Sequence, residues 1–334
     1  MNRIQITPIA FESLGVRSMC TYIETPDVRL LIDAGAALGQ RLRLFPHPLE
    51  YEALRDAREK IRKCAKSADA VTVSHYHHDH FTPNFVDHVW LASNPDEAEA
   101  IYQGKTVILK DSRESINPSQ RRRGWIFRSF CGRIDSKLLV ADSKKFGFGS
   151  TTVRFSHPLP HGETGSEQGW VLASVVECGP EKLIHASDIQ GPMVGNTLQF
   201  ILDENPSTVI VGGPPTYLSG LRVAQDSIKT GLNNLGILAK RVPLIIIDHH
   251  LLRDQESIRE LALVSSIAKS AGHQAICAAE YLGERPRLLE ANRRSLYENE
   301  PPSKRFIKWT KMTKEKQAET APPLEGERRK RDGT

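Results

Sequence analysis

The sequence predicts an α/β fold, and three observations support that prediction. Short runs of β-branched and other apolar residues recur along the chain, and each run is closed by a polar residue or a glycine. Stretches with apolar residues at three- and four-residue spacing lie between these runs. The chain has 334 residues, of which 39% are apolar and 25% are charged, so it can bury a substantial core. Alternating strand and helix signals are typical of helices packed on a sheet.

The strand predictions come from runs that are too apolar to have a solvent-facing side. Such runs indicate central strands that are covered on both faces. They span residues 28–32, 71–73, 183–186, 208–211 and 244–247. Four of the five runs are followed closely by an aspartate or a histidine. Loops at strand ends usually carry function, so these polar residues are the first candidates for a site.

Two helices have clear signals. Pro48 can occupy the first position of a helix whose apolar stripe spans residues 51–64. Asp254 can cap a second helix, whose stripe over residues 258–267 would face inward and which Gly272 would end. Helix signals between strand signals complete the α/β prediction.

The cysteines and the hydropathy of the chain indicate the compartment in which the protein is expected. The five cysteines are odd in number, widely spaced and form no C-x-x-C pair, so we expect reduced thiols rather than disulfides or a zinc-thiolate site. The N-terminus lacks the apolar stretch of a secretory signal, and no apolar run approaches the roughly 18 residues of a membrane helix. We therefore expect a soluble, cytoplasmic protein with no membrane partner.

The net charge of +5 is confined to one end of the chain. Residues 301–334 carry ten basic and five acidic side chains, so residues 1–300 are neutral overall. Pro-Pro pairs and a run of four basic residues interrupt the same segment. We predict one domain over residues 1–300 and a basic, proline-containing tail over 301–334 that is disordered beyond about residue 315.

The stretch SHYHHDH, directly after the strand at 71–73, is the strongest functional signal. Imidazole and carboxylate groups are ligands for zinc, manganese and iron. In extended backbone His75 and His77 point the same way and His78 points the opposite way, so His78 is left out. Asp79-His80 follow as the chain turns toward a helix that Thr82-Pro83 could start.

The pattern His75-x-His77-x-Asp79-His80 resembles the signature of the metallo-β-lactamase-fold hydrolases. Other positions of that family's pattern follow in the expected order, over roughly residues 28–253. They match Asp33 in LIDAG, His161 in PHGETGS, Asp188 after a strand, and the last histidine in Asp248-His249-His250. The overall order is similar to a group of predicted hydrolases of this fold found mainly in archaea and some bacteria, and no substrate comes with that resemblance.

The resemblance implies a four-layer αββα sandwich that holds two divalent metal ions, zinc first and manganese or iron as alternatives. The implied ligands are His75, His77 and His161 for one ion, Asp79, His80 and His249 for the other, and Asp188 as the bridge. Asp33 would steady the metal loop. A metal-bridging hydroxide would be the nucleophile, and Asp79 would orient it and take up its proton.

Two histidine positions leave alternatives open. His157 lies near His161, but the glycine and small residues that follow His161 favour the latter. His249 is preferred to His250 because the motif Thr-His-Phe-Ser-x-Arg of the ribonuclease Z-like branch aligns with DHHLLR, which ends at Arg253. His250 then becomes a candidate catalytic proton donor or substrate contact, or a residue that supports a ligand.

An arginine-rich segment supplies candidate substrate contacts. Six arginines between residues 113 and 133 are interleaved with Trp125, Phe127 and Phe130, a mixture that can contact phosphates and stack on bases. The alternative is a helix with a solvated arginine face and a buried aromatic stripe. The candidates for substrate binding are Arg121, Arg122 and Arg123, together with Arg253 and with Tyr217 of the stretch GGPPTY.

These features predict a metal-dependent hydrolase of an anionic, phosphate-containing substrate, for example a phosphodiester in RNA or DNA. The alternatives are a small-molecule lactone or ester hydrolase, in which the arginines hold one phosphate, and a non-catalytic metal-binding scaffold. The neutral body and the lack of an inserted β-CASP-like domain weigh against nucleic acid. A closed cleft would favour the small molecule, and an open charged groove would favour nucleic acid. The sequence leaves the oligomeric state open.

Overall fold

The computed structural model describes residues 3–324, in which strands and helices alternate along the chain. The strands are β1 Gln5–Phe11, β2 Met19–Glu24, β3 Arg29–Ile32, β4 Ala70–Val73, β5 Thr106–Leu109, β6 Lys137–Val140, β7 Lys145–Phe148, β8 Thr151–Phe155, β9 Leu159–Pro160, β10 Trp170–Val171, β11 Ser174–Cys178, β12 Glu181–His185, β13 Thr208–Gly212, β14 Leu244–Asp248 and β15 Gln274–Ile276. The helices are α1 Pro48–Ser67, α2 Pro95–Tyr102, α3 Pro118–Cys131, α4 Gly195–Asp203, α5 Gln225–Ala239, α6 Ser257–Ser270, α7 Ala278–Tyr281, α8 Arg293–Asn299, α9 Lys304–Thr310 and α10 Lys314–Glu319. Short 3-10 turns span Glu12–Leu14, Thr216–Leu218 and His249–Arg253.

The strands form two large sheets and one small ribbon. The first sheet has the order β1-β2-β3-β4-β5-β6 and is antiparallel up to β3 and parallel from β3 to β6. The second has the order β15-β14-β13-β12-β11-β8-β7 and is parallel from β12 to β15 and antiparallel elsewhere. The ribbon pairs β9 with β10. All five sequence-predicted strands lie in the large sheets.

Three buried clusters show how the layers stack. Side chains of both sheets meet in one cluster, which includes Leu30 of β3 and Ile246 of β14. The opposite face of the first sheet packs against α1, α2 and α3, and Leu31 belongs to that cluster. The opposite face of the second sheet packs against α4, α5 and α6 with Ile245 and Ile247. The order is helix, sheet, sheet, helix, so the predicted αββα sandwich is confirmed, and strands covered on both faces explain the all-apolar runs.

Helix α1 begins at Pro48, as the sequence predicts, but two other helix predictions need correction. Helix α6 begins at Ser257 rather than next to Asp254, because Asp254 is extended where it ends the 3-10 turn before it. Its Ile258 is 45% exposed rather than inward-facing. No helix follows Thr82-Pro83. The Thr82 hydroxyl donates to the carbonyl of Ala34 at 2.6 Å, so tertiary contacts hold this stretch in an irregular path.

The predicted tail also needs correction. Residues 304–310 and 314–319 form α9 and α10, and Phe306 and Trp309 are at most 1% exposed. Both rings pack against Tyr51 of α1, with centroids 5.8 and 5.7 Å away. Large aromatic side chains bury much apolar surface, and this burial holds the segment in the fold despite its charge. Residues 301–324 therefore belong to the domain. Residues 325–334 of the predicted tail lie outside the described part of the chain.

Two further expectations can be compared with the structure. All five cysteines are free thiols, and four of them are buried. Across residues 3–324, none of the helices combines the length and the apolar character that crossing a bilayer requires.

Candidate metal centre

The side chains predicted as metal ligands come from four loops that meet beside the two sheets. Each loop follows a strand, so the rigid sheets fix where its side chains begin. The loop after β4 contributes His75, His77, Asp79 and His80, the residue after β9 is His161, the loop after β12 contributes Asp188, and the residue after β14 is His249. The structure therefore brings together all seven side chains, which span more than 170 positions of the sequence.

Four of these side chains form a first group. His75, His77, His161 and Asp188 each offer one nitrogen or oxygen atom, and these atoms lie within 4.8 Å of one another. His75 Nε2 is 3.1 Å from His77 Nδ1, and His161 Nε2 is 2.7 Å from Asp188 Oδ2. The Ser74 hydroxyl contacts His75 Nδ1 at 2.9 Å, which turns the other ring nitrogen of His75 toward the group.

Asp79, His80 and His249 form a second group with the same spacing. Asp79 Oδ2 lies 3.7 Å from His249 Nε2. Asp188 joins this group to the first, because its Oδ2 atom is 3.7 Å from His80 Nε2 and 3.4 Å from His249 Nε2. One carboxylate thus faces ligands of both groups.

The chemistry of the cluster fits divalent metal ions. Within residues 3–324, His80 Nε2 is a buried atom with no hydrogen-bond partner. Buried polar atoms are almost always paired, so a free imidazole nitrogen 3.7 Å from Asp188 Oδ2 is consistent with coordination by an ion. The donors are imidazole nitrogens and carboxylate oxygens without thiolates, which suits zinc, manganese or iron.

Asp33 contacts the cluster from the side that faces the first sheet. It is fully buried, and its carboxylate accepts hydrogen bonds from the backbone and hydroxyl of Ser74, at 2.8 and 2.6 Å, and from the Ser187 hydroxyl at 2.6 Å. It also accepts from His80 Nδ1 at 2.9 Å, which fixes the ring so that Nε2 points toward Asp188. Such contacts set both the orientation and the basicity of a ligand.

The backbone is strained around the cluster. Asp33, Ser187 and His249 have φ values of 52°, 51° and 62°, in the left-handed region that residues other than glycine seldom adopt. Such strain persists only where surrounding contacts impose it, and it is common at functional sites. Gly35 allows two loops to approach each other closely. A methyl group at this position would lie 2.4 Å from the backbone nitrogen of Phe81, in the loop that carries Asp79 and His80.

Sequence reasoning missed Glu12, which lies in the turn after β1. Its Oε2 atom is 2.7 Å from His249 Nδ1, and its other oxygen accepts from Arg253 Nε. Burial alone would lower the pKa of His249, but the carboxylates of Glu12 and Asp188 outweigh it and raise that pKa to about 10. A carboxylate directly after a strand is the signal that could have identified Glu12.

His249, rather than His250, occupies the position facing both aspartates. His249 is fully buried. The His250 side chain is 12% exposed, and its Nε2 is 3.3 Å from Asp188 Oδ1 while its Nδ1 is 3.0 Å from the Tyr217 hydroxyl. Burial and the charge of Arg253 lower the pKa of His250 to about 3. The arrangement favours His249 as the ligand and leaves His250 between the cluster and Tyr217.

The other two histidines considered lie apart from the cluster. His78 points away from it, as the alternation of side chains predicts, and its ring contacts Phe81 and Phe85 at centroid distances of 5.4 and 5.5 Å. His157 is exposed and its ring lies against Phe200. His161 is therefore the histidine of that region that joins the cluster.

A cavity of about 480 Å³ opens above the cluster. Among the predicted substrate contacts, Arg123 and Arg253 line it, whereas Arg121 and Arg122 do not. The Arg253 side chain is only 5% exposed and is held by Glu12, so much of its role is to position His249. Arg123 is the more accessible of the two and donates to the carbonyl of Tyr76 at 3.2 Å.

The arginine-rich segment forms α3 and matches parts of both interpretations. Phe127 and Phe130 are buried, as the interpretation of a buried aromatic stripe requires. Trp125 is 67% exposed and lines a separate surface depression with Arg121 and Arg122. The helix thus presents arginines both to the cluster cavity and to the outer surface.

No family model matches the chain. It is 42% identical to the UPF0282 protein MK0213 of Methanopyrus kandleri, over 88% of this chain and 99% of that protein, and 42% identical to a UPF0282 protein of Thermococcus sibiricus, over 89% and 95%. Among solved structures, the chain is similar to the metallo-beta-lactamase fold protein YhfI from Bacillus subtilis, with 16% identity, 83% and 96% coverage and a TM-score of 0.47. It is also similar to human tRNase Z, short form, with 12% identity, 73% and 92% coverage and a TM-score of 0.40. The extent and identity of the first two matches show that the chain belongs to the UPF0282 family.

Proposed function

We propose that the protein is a metal-dependent hydrolase of a phosphate-containing substrate. The observation that carries this proposal is the pair of ligand groups that share Asp188 at the floor of a cavity lined by arginine. Two groups that share one carboxylate suit two divalent ions, with zinc as the first candidate and manganese or iron as alternatives. Such ions supply, when bound, a water of lowered pKa and a polarising charge for a phosphoryl oxygen.

Asp79 is the candidate residue for orienting the attacking water. Its side chain is 18% exposed, so it faces the cavity as well as the ligands. Burial opposes ionisation of Asp79, but the charges of His80 and His249 outweigh it and lower the pKa of the carboxyl group. An ionised carboxylate in this place accepts a hydrogen bond from water and fixes its direction of approach.

His250 is a candidate residue for contacting the substrate. It lines the cavity, and contacts from Tyr217 and from Gln190, whose Nε2 atom lies 3.2 Å from His250 Nε2, hold its ring. Its lowered pKa keeps the ring neutral, so in this proposal His250 contacts the substrate rather than giving a proton to the leaving group. Tyr217 acts through His250 in this proposal rather than on the substrate directly.

Arginine at the cavity favours an anionic substrate. Arg123 lines the cavity and, within the described part of the chain, forms no ion pair with a carboxylate. A guanidinium that is free of a carboxylate is suited to the paired oxygens of a phosphate. The arrangement supports a phosphate ester more directly than a neutral lactone.

The size of the cavity supports a second candidate within the same chemistry, a small phosphate ester. Volumes of about 300–1,000 Å³ are usual for small-molecule sites, and the 480 Å³ cavity lies in that range. RNA or DNA remains a candidate because α3 also presents arginines and Trp125 to the surface. A non-catalytic scaffold is disfavoured by the presence of all seven ligand side chains with the spacing that ions require.

A substrate panel on protein of measured metal content tests this proposal. The panel contains bis(4-nitrophenyl) phosphate, an RNA and a DNA oligonucleotide, a lactone and a thioester. We expect hydrolysis of phosphodiesters, at least about 100-fold slower in Asp188→Asn and unchanged in Asp226→Asn, whose side chain is 95% exposed. Activity on only the lactone or thioester, or full activity in Asp188→Asn, would contradict the proposal.

A further inference from the structure

A second, larger cavity lies beside the cavity that covers the cluster. Its volume is about 670 Å³. Its wall is largely apolar and comes from the loop after His80 and from α3. The apolar residues that line it are Phe81, Pro83, Phe85, Pro118, Ile126 and Phe127.

The two cavities adjoin each other, because His78, Ser119 and Arg123 line both of them. Arg123 therefore stands at the boundary between a polar space and an apolar space. Arg122 adds a second guanidinium to the wall of the apolar cavity.

Part of the apolar wall is exposed to solvent. Phe85 is 42% exposed and Ile126 is 39% exposed, although both belong to segments that also contribute fully buried aromatic residues. Exposed apolar side chains gathered in one concave site are typical of a ligand-binding surface. The rings of Phe85 and His78, 5.5 Å apart and nearly perpendicular, offer an edge and a face to a third ring.

We infer that the apolar cavity binds a planar aromatic group that belongs to the substrate and is joined to the phosphate received by the metal centre. This inference rests on the proposed function, because it places the phosphate between Arg123 and the cluster. Aromatic rings suit the cavity better than flexible alkyl chains, since ring edges and faces are already present in its wall. The substrate class is then an aromatic phosphate ester, with nucleotides among its members.

The test compares two ligands that differ only in the group attached to phosphate. Calorimetry on metal-loaded protein measures the binding of 1-naphthyl phosphate and of methyl phosphate. Burial of the naphthyl ring should make the first bind at least about tenfold more tightly. In Ile126→Asn and in Phe85→Asn this advantage should disappear, while the affinity for methyl phosphate stays the same. Neutral replacements are chosen so that the phosphate meets no new charge.

Trp125→Ala is the matched control, because Trp125 is the neighbour of Ile126 on α3 but does not line this cavity. It should leave both affinities unchanged. Equal binding of the two ligands by the wild type, or an unchanged advantage in both asparagine variants, would overturn the inference. Loss of the advantage in Trp125→Ala alone would also overturn it, and would favour the outer surface as the aromatic site. The experiment measures binding and not hydrolysis. A protein that binds the two ligands as expected but hydrolyses no phosphate ester would contradict the proposed function and not the aromatic site.

Discussion

At the scale of single residues, the orientation of the candidate ligands depends on buried side chains that lie behind them. Asp33 and Glu12 each hold one ring nitrogen of a histidine, His80 or His249, so that the other ring nitrogen faces Asp188. Glu12 directly follows β1 and Asp33 directly follows β3, two strands of the first sheet. The geometry of the second ligand group is therefore imposed from behind by two buried charges.

Glu12→Gln tests this arrangement. Removing the charge behind His249 should weaken the binding of an ion by Asp79, His80 and His249 by about 10- to 100-fold, because the ring loses both orientation and basicity. Competition with a chromogenic chelator measures the change. Glu59→Gln, an exposed site on α1, is the control and should bind like the wild type. Equal metal affinity in Glu12→Gln would mean that Glu12 serves only to pair with Arg253.

At the scale of elements, the sequence predicts five of the fifteen strands in residues 3–324, because the signal of an all-apolar run is local. Largely apolar runs indicate strands that are covered on both faces, and the aspartate or histidine after four of the five runs marks the edge that bears the cluster. The helix expected after Thr82-Pro83 does not form, since the hydroxyl and backbone of Thr82 bond to residues remote in sequence, among them Tyr102. Glu12 was missed for the same reason, because its partners lie more than 230 residues away. Local patterns do not report such contacts.

Gly35→Ala tests the close approach of two loops after strands β3 and β4. The added methyl group would meet backbone atoms of the loop carrying Asp79 and His80, so that loop must shift. Overpacking of this kind costs about 1–3 kcal/mol, and metal content should fall with it. Urea denaturation and metal analysis measure the two effects. Gly147→Ala, where the added carbon would meet nothing within 4 Å, should change neither.

At the scale of the whole molecule, residues 301–324 pack against the first sheet and α1. Phe306 and Trp309 complete the core around Tyr51. Before these residues, Glu290 pairs with Arg17 at 2.6 Å. The basic charge of residues 301–334 predicted a separate tail. Burying the rings of Phe306 and Trp309 gains more free energy than leaving them in solvent, while the nearby lysines can keep their charged ends in water. Residues 301–324 therefore join the core.

Trp309→Ala should destabilise the domain by about 3–5 kcal/mol, the usual cost of removing a large buried aromatic side chain. Trp125→Ala, at a site that is 67% exposed, should change the free energy of unfolding by less than about 0.5 kcal/mol. Urea denaturation of the two variants gives the comparison. Similar stability in both would show that the segment from residue 301 does not contribute to the core.

Glu290→Gln should be destabilising in a pH-dependent way. Burial would raise the pKa of Glu290, but Arg17 outweighs it and lowers that pKa to about 2, below the usual 4.5. The stabilisation is thus present above pH 4.5 and is lost as the pH falls toward 2. At neutral pH the variant leaves Arg17, whose side chain is 23% exposed, without its carboxylate partner, at a cost of about 1–3 kcal/mol. Unfolding measured across this pH range should show the gap between wild type and variant narrowing as the pH falls, and a constant gap would refute the pairing.

A metal titration that follows phosphodiester hydrolysis tests the central claim most directly. Metal-free protein is titrated with zinc or manganese, and the rate of bis(4-nitrophenyl) phosphate hydrolysis is measured against the ions bound per chain. Two ligand groups that share Asp188 predict binding of two ions and a rate that rises as the second ion binds. A full rate without metal, binding that saturates below two ions per chain, or no hydrolysis with both ions bound would contradict the account.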